Sequence, residues 1–233
     1  MLSPLIEPRP PAAARRANLT RRRALRAAAL FLGASLLAKA PARAAPMTLS
    51  DQDKALLAQI EAYLNAQKSV TANFLQVAAD GSTRTGKAWL QRPGKMRFAY
   101  DPPDPQLLVA GFGILTYYDP DLGQTSNIPL STTPLGILLA PRVDLESADV
   151  YVTNILRQPG QVDVTLVRKG KEAAGSLTLS FATDPLELRG WVVTDAQGKQ
   201  TIVHLYDISP AARPFPDSLF QFTPATSPIP SGG

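Results

Sequence analysis

Residues 89–121 read WLQRPGKMRFAYDPPDPQLLVAGFGILTYYDPD, and this stretch constrains the fold more than any other. Bulky apolar residues (Trp89, then Met96, Phe98 and Tyr100, then Leu108 and Ala110) recur with a period of two, which is the spacing of side chains on one face of a β-strand. Pro93-Gly94 and the run Pro102-Pro103-Asp104-Pro105 interrupt the alternation at points where a strand cannot continue. Such a segment folds as consecutive strands of a sheet with one apolar face. Arg92 stands at the junction between two of them, where its guanidinium must reach water or find carbonyl acceptors.

The same pattern extends in both directions. From Val70 onward Phe74 and Gln76 share one face and Leu75 and Val77 the other, ending at the turn signal Asp80-Gly81. Further strands are expected at 85–91, 95–100, 106–110, 114–118, 124–128, 150–157, 161–168, 176–183, 186–194 and 199–207, most of them separated by short Gly- or Pro-containing turns. Before them, Ser50 offers an N-cap with Asp53 three residues on. Leu56, Leu57, Ile60, Tyr63 and Leu64 follow at helical spacing and predict one amphipathic helix from Asp51 to Gln67. The run Pro129 to Pro141, PLSTTPLGILLAP, breaks the alternation; a short helical lid over an opening and a core-filling connection both fit its composition. The expected class is mainly β with α: one strongly curved antiparallel sheet, an incomplete β-barrel, capped by short helices. A cap over the concave face of such a sheet encloses an apolar space suited to a hydrophobic ligand.

Charge is distributed unevenly. Nine of the 24 Lys and Arg residues and only one of the 19 Asp and Glu residues fall within residues 1–44, so that stretch carries +8 and the remainder −3. The basic character thus belongs to a leader, and an acidic remainder argues against a nucleic-acid partner. The leader has an arginine-rich start, the apolar run Ala27 to Ala38, too short to span a bilayer, and Ala42-Arg43-Ala44 as a cleavage signal. Thr20 to Arg26, TRRRALR, resembles the twin-arginine consensus with Ala24 where an aromatic residue is usual, and general secretory export stays open beside it. Residues 1–44 are therefore expected to be a cleaved export signal, 45–223 one domain, and the Pro/Ser/Gly-rich 224–233 a disordered tail. The chain has no cysteine. Its fold must stand without disulfides, and Ala45 cannot accept the lipid that anchors a bacterial lipoprotein at its cleavage-site cysteine. A periplasmic location, unanchored, is the expectation.

Parts for catalysis are scarce. With no Cys and the single His204 on an alternating strand, ordinary zinc sites and Cys/His or Ser/His nucleophile pairs lack their members. Asp119, Asp121 and Gly123 faintly resemble the start of a calcium loop, but Pro120 and the lack of later acidic ligands favour a surface turn. Gly111-Phe112-Gly113 has no third glycine and no following helix, which removes a phosphate cradle. Arg168-Lys169-Gly170-Lys171 adjoins Glu172; it reads as a solvated turn, with contact to anionic headgroups as the functional alternative. No enzyme, cofactor or metal is expected.

Arg92-Pro93-Gly94-Lys95-Met96-Arg97-Phe98, followed by Tyr100, Pro103, Gln106 to Val109 and Tyr117-Tyr118-Asp119-Pro120, resembles the periplasmic outer-membrane lipoprotein carriers of the LolA family. Phe74-x-Gln76, Leu130 to Leu139, Leu188 to Asp195 with Gly198 and Thr201, and Pro216 to Phe222 fall in the family's order, so the resemblance covers most of the chain after the leader. It implies a half-open barrel under a helical lid that shields lipoprotein acyl chains, a monomer that takes them from an inner-membrane ABC exporter and passes them to an outer-membrane acceptor. A LolA-like sensor or carrier for another lipid is the alternative. The resemblance also implies that Arg92 holds the lid shut by hydrogen bonds to lid carbonyls, while Met96 stands where the family often has an aromatic residue. Trp89, Met96, Phe98, Leu108, Leu135, Ile137, Leu138 and Leu139 are the expected cavity lining.

Overall fold

Turn chemistry divides the chain into one helix and eleven strands in the computed structural model, which describes residues 45–104 and 106–222. The expected export signal (1–44) and the expected tail (224–233) lie outside the described residues. Helix α1 spans Asp51–Ala66 and starts in a capping box: Ser50 Oγ accepts from the Asp53 backbone N–H while the Asp53 carboxylate accepts from Ser50 N at 2.9 Å. Leu57, Ile60 and Leu64 point inward and are buried.

The strands are β1 (Ser69–Val77), β2 (Thr83–Gln91), β3 (Lys95–Tyr100), β4 (Leu107–Gly111), β5 (Ile114–Asp119), β6 (Gln124–Pro129), β7 (Val150–Gln158), β8 (Gln161–Arg168), β9 (Ser176–Thr183), β10 (Leu186–Thr194) and β11 (Gln200–Pro210). They form one antiparallel sheet in the order β6-β5-β4-β3-β2-β1-β11-β10-β9-β8-β7. The chain meanders from β1 outward to β6 at one edge, crosses through residues 130–149 to β7 at the other edge, and meanders back until β11 pairs with β1. The edges β6 and β7 are not joined to each other, so the barrel stays open. Ahead of α1, Met47 N–H donates to Val152 O at 2.8 Å along the β7 edge.

Alternation decides the two faces. Phe74 sits opposite Leu205 on β11 and Gly86 on β2, Ala88 opposite Phe98, and Leu166 opposite Leu177, all buried on the inner face with α1 and the crossover. Gly86 has to lack a side chain: a Cβ there would collide with Ala99 O and the Phe74 ring. On the outer face, the segment after β11 returns over β3 to β5. It is fixed by Lys95 Nζ–Asp217 at 2.6 Å, by Arg97 Nη1 donating to Leu219 O at 3.1 Å, by buried Phe220 and by Phe222, whose ring lies tilted against Tyr118 at 5.0 Å.

The start of α1 is tied to β7 by Arg157 Nη2–Asp53 Oδ1 at 2.6 Å. Hydrogen bonds from the Ser50 hydroxyl and backbone, and then from Arg157, pull the Asp53 carboxyl from its ordinary 3.8 to about 2. A lowered folded-state pKa stabilises the fold above 3.8, and that contribution disappears as the pH falls toward about 2. Denaturation followed across this window is expected to show a weaker acid dependence for Asp53→Asn than for the wild type; identical profiles would contradict it.

Candidate functional site: a roofed apolar cavity

The crossover, not a long helix, makes the roof. Leu130–Thr132 and Pro134–Gly136 form short 3-10 turns, because Pro129, Pro134 and Pro141 interrupt any longer helical run. At its start, Leu130 N–H donates to Gly113 O at 2.8 Å; farther on, the Asn65 side chain pairs with both N–H and C=O of Val143 at 2.9 Å, and Glu61 accepts from Leu145 N. Residues 133–138 between these anchors rest mainly on apolar contacts, with Leu135, Ile137 and Leu138 buried.

Beneath the roof lies a cavity of about 540 Å³. Met96, Phe98, Leu108, Leu115 and Ile128 line it from one half of the sheet, Trp191, Val193, Thr201 and Val203 from the other, and Thr132 to Leu135 from above. Its polar atoms are few and sit mostly at the β10–β11 turn (Asp195, Gln197) and on the roof threonines, while the Gln76 carbonyl accepts from Tyr100 OH at 2.9 Å. Burial raises the Tyr100 phenol to about 12, so it acts as a neutral donor. A volume of this size falls in the ordinary range of small-ligand pockets, about 300–1,000 Å³, and its wall is mostly apolar.

The expected lining residues divide into three groups. Met96, Phe98, Leu108 and Leu135 line the cavity. Leu138 and Leu139 instead bound a gap of about 40 Å³ beside Leu64, Leu90 and Arg92, and Ile137 is buried at 2% exposure without lining either space. Trp89 is a correction: it pairs with Thr71 and Arg97 on the outer face, with Lys87 Nζ 5.6 Å from its ring centre. The turn at Arg92-Pro93-Gly94 resets the alternation, pairing Leu90 with Met96, so the inward residues of β2 are Gly86, Ala88 and Leu90. Trp191 and Val203, absent from the expected set, complete the wall; Trp191 packs edge-on to Phe98 at 5.9 Å. Their signal was the alternation of β10 and β11, readable as cavity lining only once β11 is known to pair with β1.

Arg92 also departs from expectation. Its Nη2 donates to Gln67 O, the carbonyl just past the end of α1, at 2.7 Å, where the negative end of the helix dipole favours a cation. The roof carbonyl at this turn, Leu139 O, accepts instead from the backbone N–H of Gly94 at 2.8 Å. Burial lowers the guanidinium pKa, and Nη1 finds no acceptor among the described residues. Arg92 therefore secures the helix end beside the roof, and Gly94 makes the direct bond to it.

Elsewhere the structure offers little chemistry. Asp119 accepts from the backbone N–H groups of Asp121 and Leu122 and shapes a turn, His204 is exposed on β11 opposite Leu75, and among the described residues no cluster of His, Cys, Asp or Glu could hold a metal ion. No helix among them is long and apolar enough to cross a membrane.

The sequence signature described as "Outer membrane lipoprotein carrier protein LolA" matches residues 65–223. An outer-membrane lipoprotein carrier protein of Pseudomonas aeruginosa is 32% identical over 80% of this chain and 86% of its own length. One from Bordetella pertussis is 29% identical over 87% of this chain and 94% of its own. Among solved structures, a LolA superfamily protein from Nitrosomonas europaea aligns with 71% of this chain and 97% of its own at 12% identity, with a TM-score of 0.39.

Proposed function

Because the chain belongs to the outer membrane lipoprotein carrier family, LolA, we propose that it is a periplasmic binding protein that shields the acyl chains of lipoproteins between an inner-membrane ABC exporter and an outer-membrane acceptor. The observation that carries this reading is the roofed apolar cavity, bounded by Met96, Phe98, Trp191 and Leu135. Residues 1–44 direct the protein out of the cytoplasm.

The need for such a carrier follows from the cost of exposing hydrocarbon. Each methylene moved from lipid into water costs about 0.8 kcal/mol, so a triacylated protein faces a barrier of tens of kcal/mol when it leaves a membrane unaided. An apolar cavity offsets that cost for the hydrocarbon it covers. A roof held by few polar bonds in its middle can lift for entry and close again after release, which keeps binding tight enough to carry and loose enough to deliver.

Depleting the protein and separating inner from outer membranes tests the reading. Lipoproteins are expected to accumulate in the inner membrane, and unchanged delivery would overturn it. Mass spectrometry of ligand copurified from the periplasm identifies the cargo: acylated peptide supports lipoprotein transport, and a free lipid in its place assigns the cavity to another lipid.

A further inference from the structure

The inward positions of β8 run Val162, Val164, Leu166 and then Arg168, so the alternation that builds the apolar wall ends on a guanidinium. Its strand partner, Val150, is part of the core. Arg168 lies under the roof: a side-chain carbon added at Gly136 would stand 3.2 Å from Arg168 Nη2 and 2.5 Å from Leu130 O, so only glycine lets the crossover settle there. Arg168 Nε is buried and meets no acceptor among the described residues. The adjoining cavity wall includes Leu135, next to Gly136, and Ala174 from the loop that follows Arg168. Lys171 of that loop donates to Ser131 O at 3.3 Å.

A guanidinium among apolar side chains is unfavourable unless its five donors find acceptors, and here one buried donor does not. An acyl chain brings an acceptor with it. Its hydrocarbon offers none, but the carbonyl oxygen at its head is a strong one, and a hydrogen bond from a charged donor is worth about twice a neutral one. We propose that Arg168 is the polar anchor of the cavity, binding the acyl carbonyl oxygen at the head of the chain when the roof lifts at Gly136. This rests on the acyl-carrier reading above and adds to it a ligand feature and the residue that reads it. The same oxygen chemistry is offered by an ester of a diacylglyceryl group and by the carboxylate of a free fatty acid.

Binding of three probes with chains of equal length separates these sources: dipalmitoylglycerol, its diether analogue lacking both carbonyls, and palmitate, each titrated into the wild type, Arg168→Leu and Arg168→Lys. The wild type is expected to favour the diester over the diether by about tenfold or more, the effect of one charge-assisted hydrogen bond. Arg168→Leu removes that preference by bringing diester affinity down to that of the diether, whereas mere loosening of the roof weakens both alike and keeps their ratio. Arg168→Lys, which keeps the charge with a less directed set of donors, retains part of it and serves if the leucine variant does not fold. Palmitate binding that alone depends on Arg168 assigns the contact to a free carboxylate. Equal diester and diether affinities in the wild type, with palmitate binding indifferent to Arg168, overturn the anchor while leaving the carrier reading intact; binding of none of the probes to the wild type overturns both.

Discussion

Phe74→Ala is expected to destabilise the protein by about 3–5 kcal/mol, the usual cost of truncating a fully buried aromatic ring. Phe74 has 0% exposure and joins the two halves of the sheet: its backbone lies between Gly86 of β2 and Leu205 of β11. Its ring meets Phe98 at 4.5 Å and Tyr100 at 5.2 Å, the second edge-on, a geometry worth more than the buried area alone. The space left behind cannot refill, because Gly86 on the facing strand has no side chain to move in. Urea denaturation measures the loss; a shift below about 1 kcal/mol, typical of a surface substitution, would show that Phe74 is not the joint it resembles.

Leu135→Asp is expected to weaken binding of an acyl-chain probe by about a hundredfold or more. Leu135 is 6% exposed and faces the cavity from the roof. Its replacement removes about 1.5–3 kcal/mol of apolar contact with the chain. It also leaves a carboxylate that either loses its water when the chain enters or keeps the roof raised, at a further cost of several kcal/mol. Leu135 is also part of the buried core, so affinity is read only on a variant shown to be folded. Circular dichroism and probe titration on the same sample separate the two effects, and near-wild-type affinity in the folded variant would remove Leu135 from the site.

Most of the sheet was legible because its turns are chemically explicit. Pro159-Gly160, Asp184-Pro185 and Ala196-Gln197-Gly198 place β8, β9, β10 and the start of β11 within a residue of where alternation puts them. Facing was harder than existence. Trp89 and Phe98 look like parts of one apolar row in sequence, but the tight turn between them pairs Leu90 with Met96, and a single residue of offset sends the tryptophan outward. Long-range partners were the least legible. Nothing near Arg92 in sequence points to Gln67, and Trp191 joins the wall through the β1–β11 pairing, a contact between opposite ends of the domain. Arg168 carried a visible signal, a cation on the inward beat of an apolar strand, masked by the lysines that follow it in an apparent surface turn.

The pairing of β1 with β11 has a consequence for how the molecule comes into being. Every other strand pair among the described residues joins neighbours in the chain, so two local ribbons can form early and independently. The seam between them joins Phe74 to Leu205 and must wait until almost the whole domain has been made, since closing so long a loop is entropically unfavourable until the inner faces reward it. Until then both ribbons expose the same apolar surface that later lines the cavity. The nascent chain is therefore most vulnerable to aggregation just before its last strand arrives, and a cargo-like lipid would bind it too early if it met one.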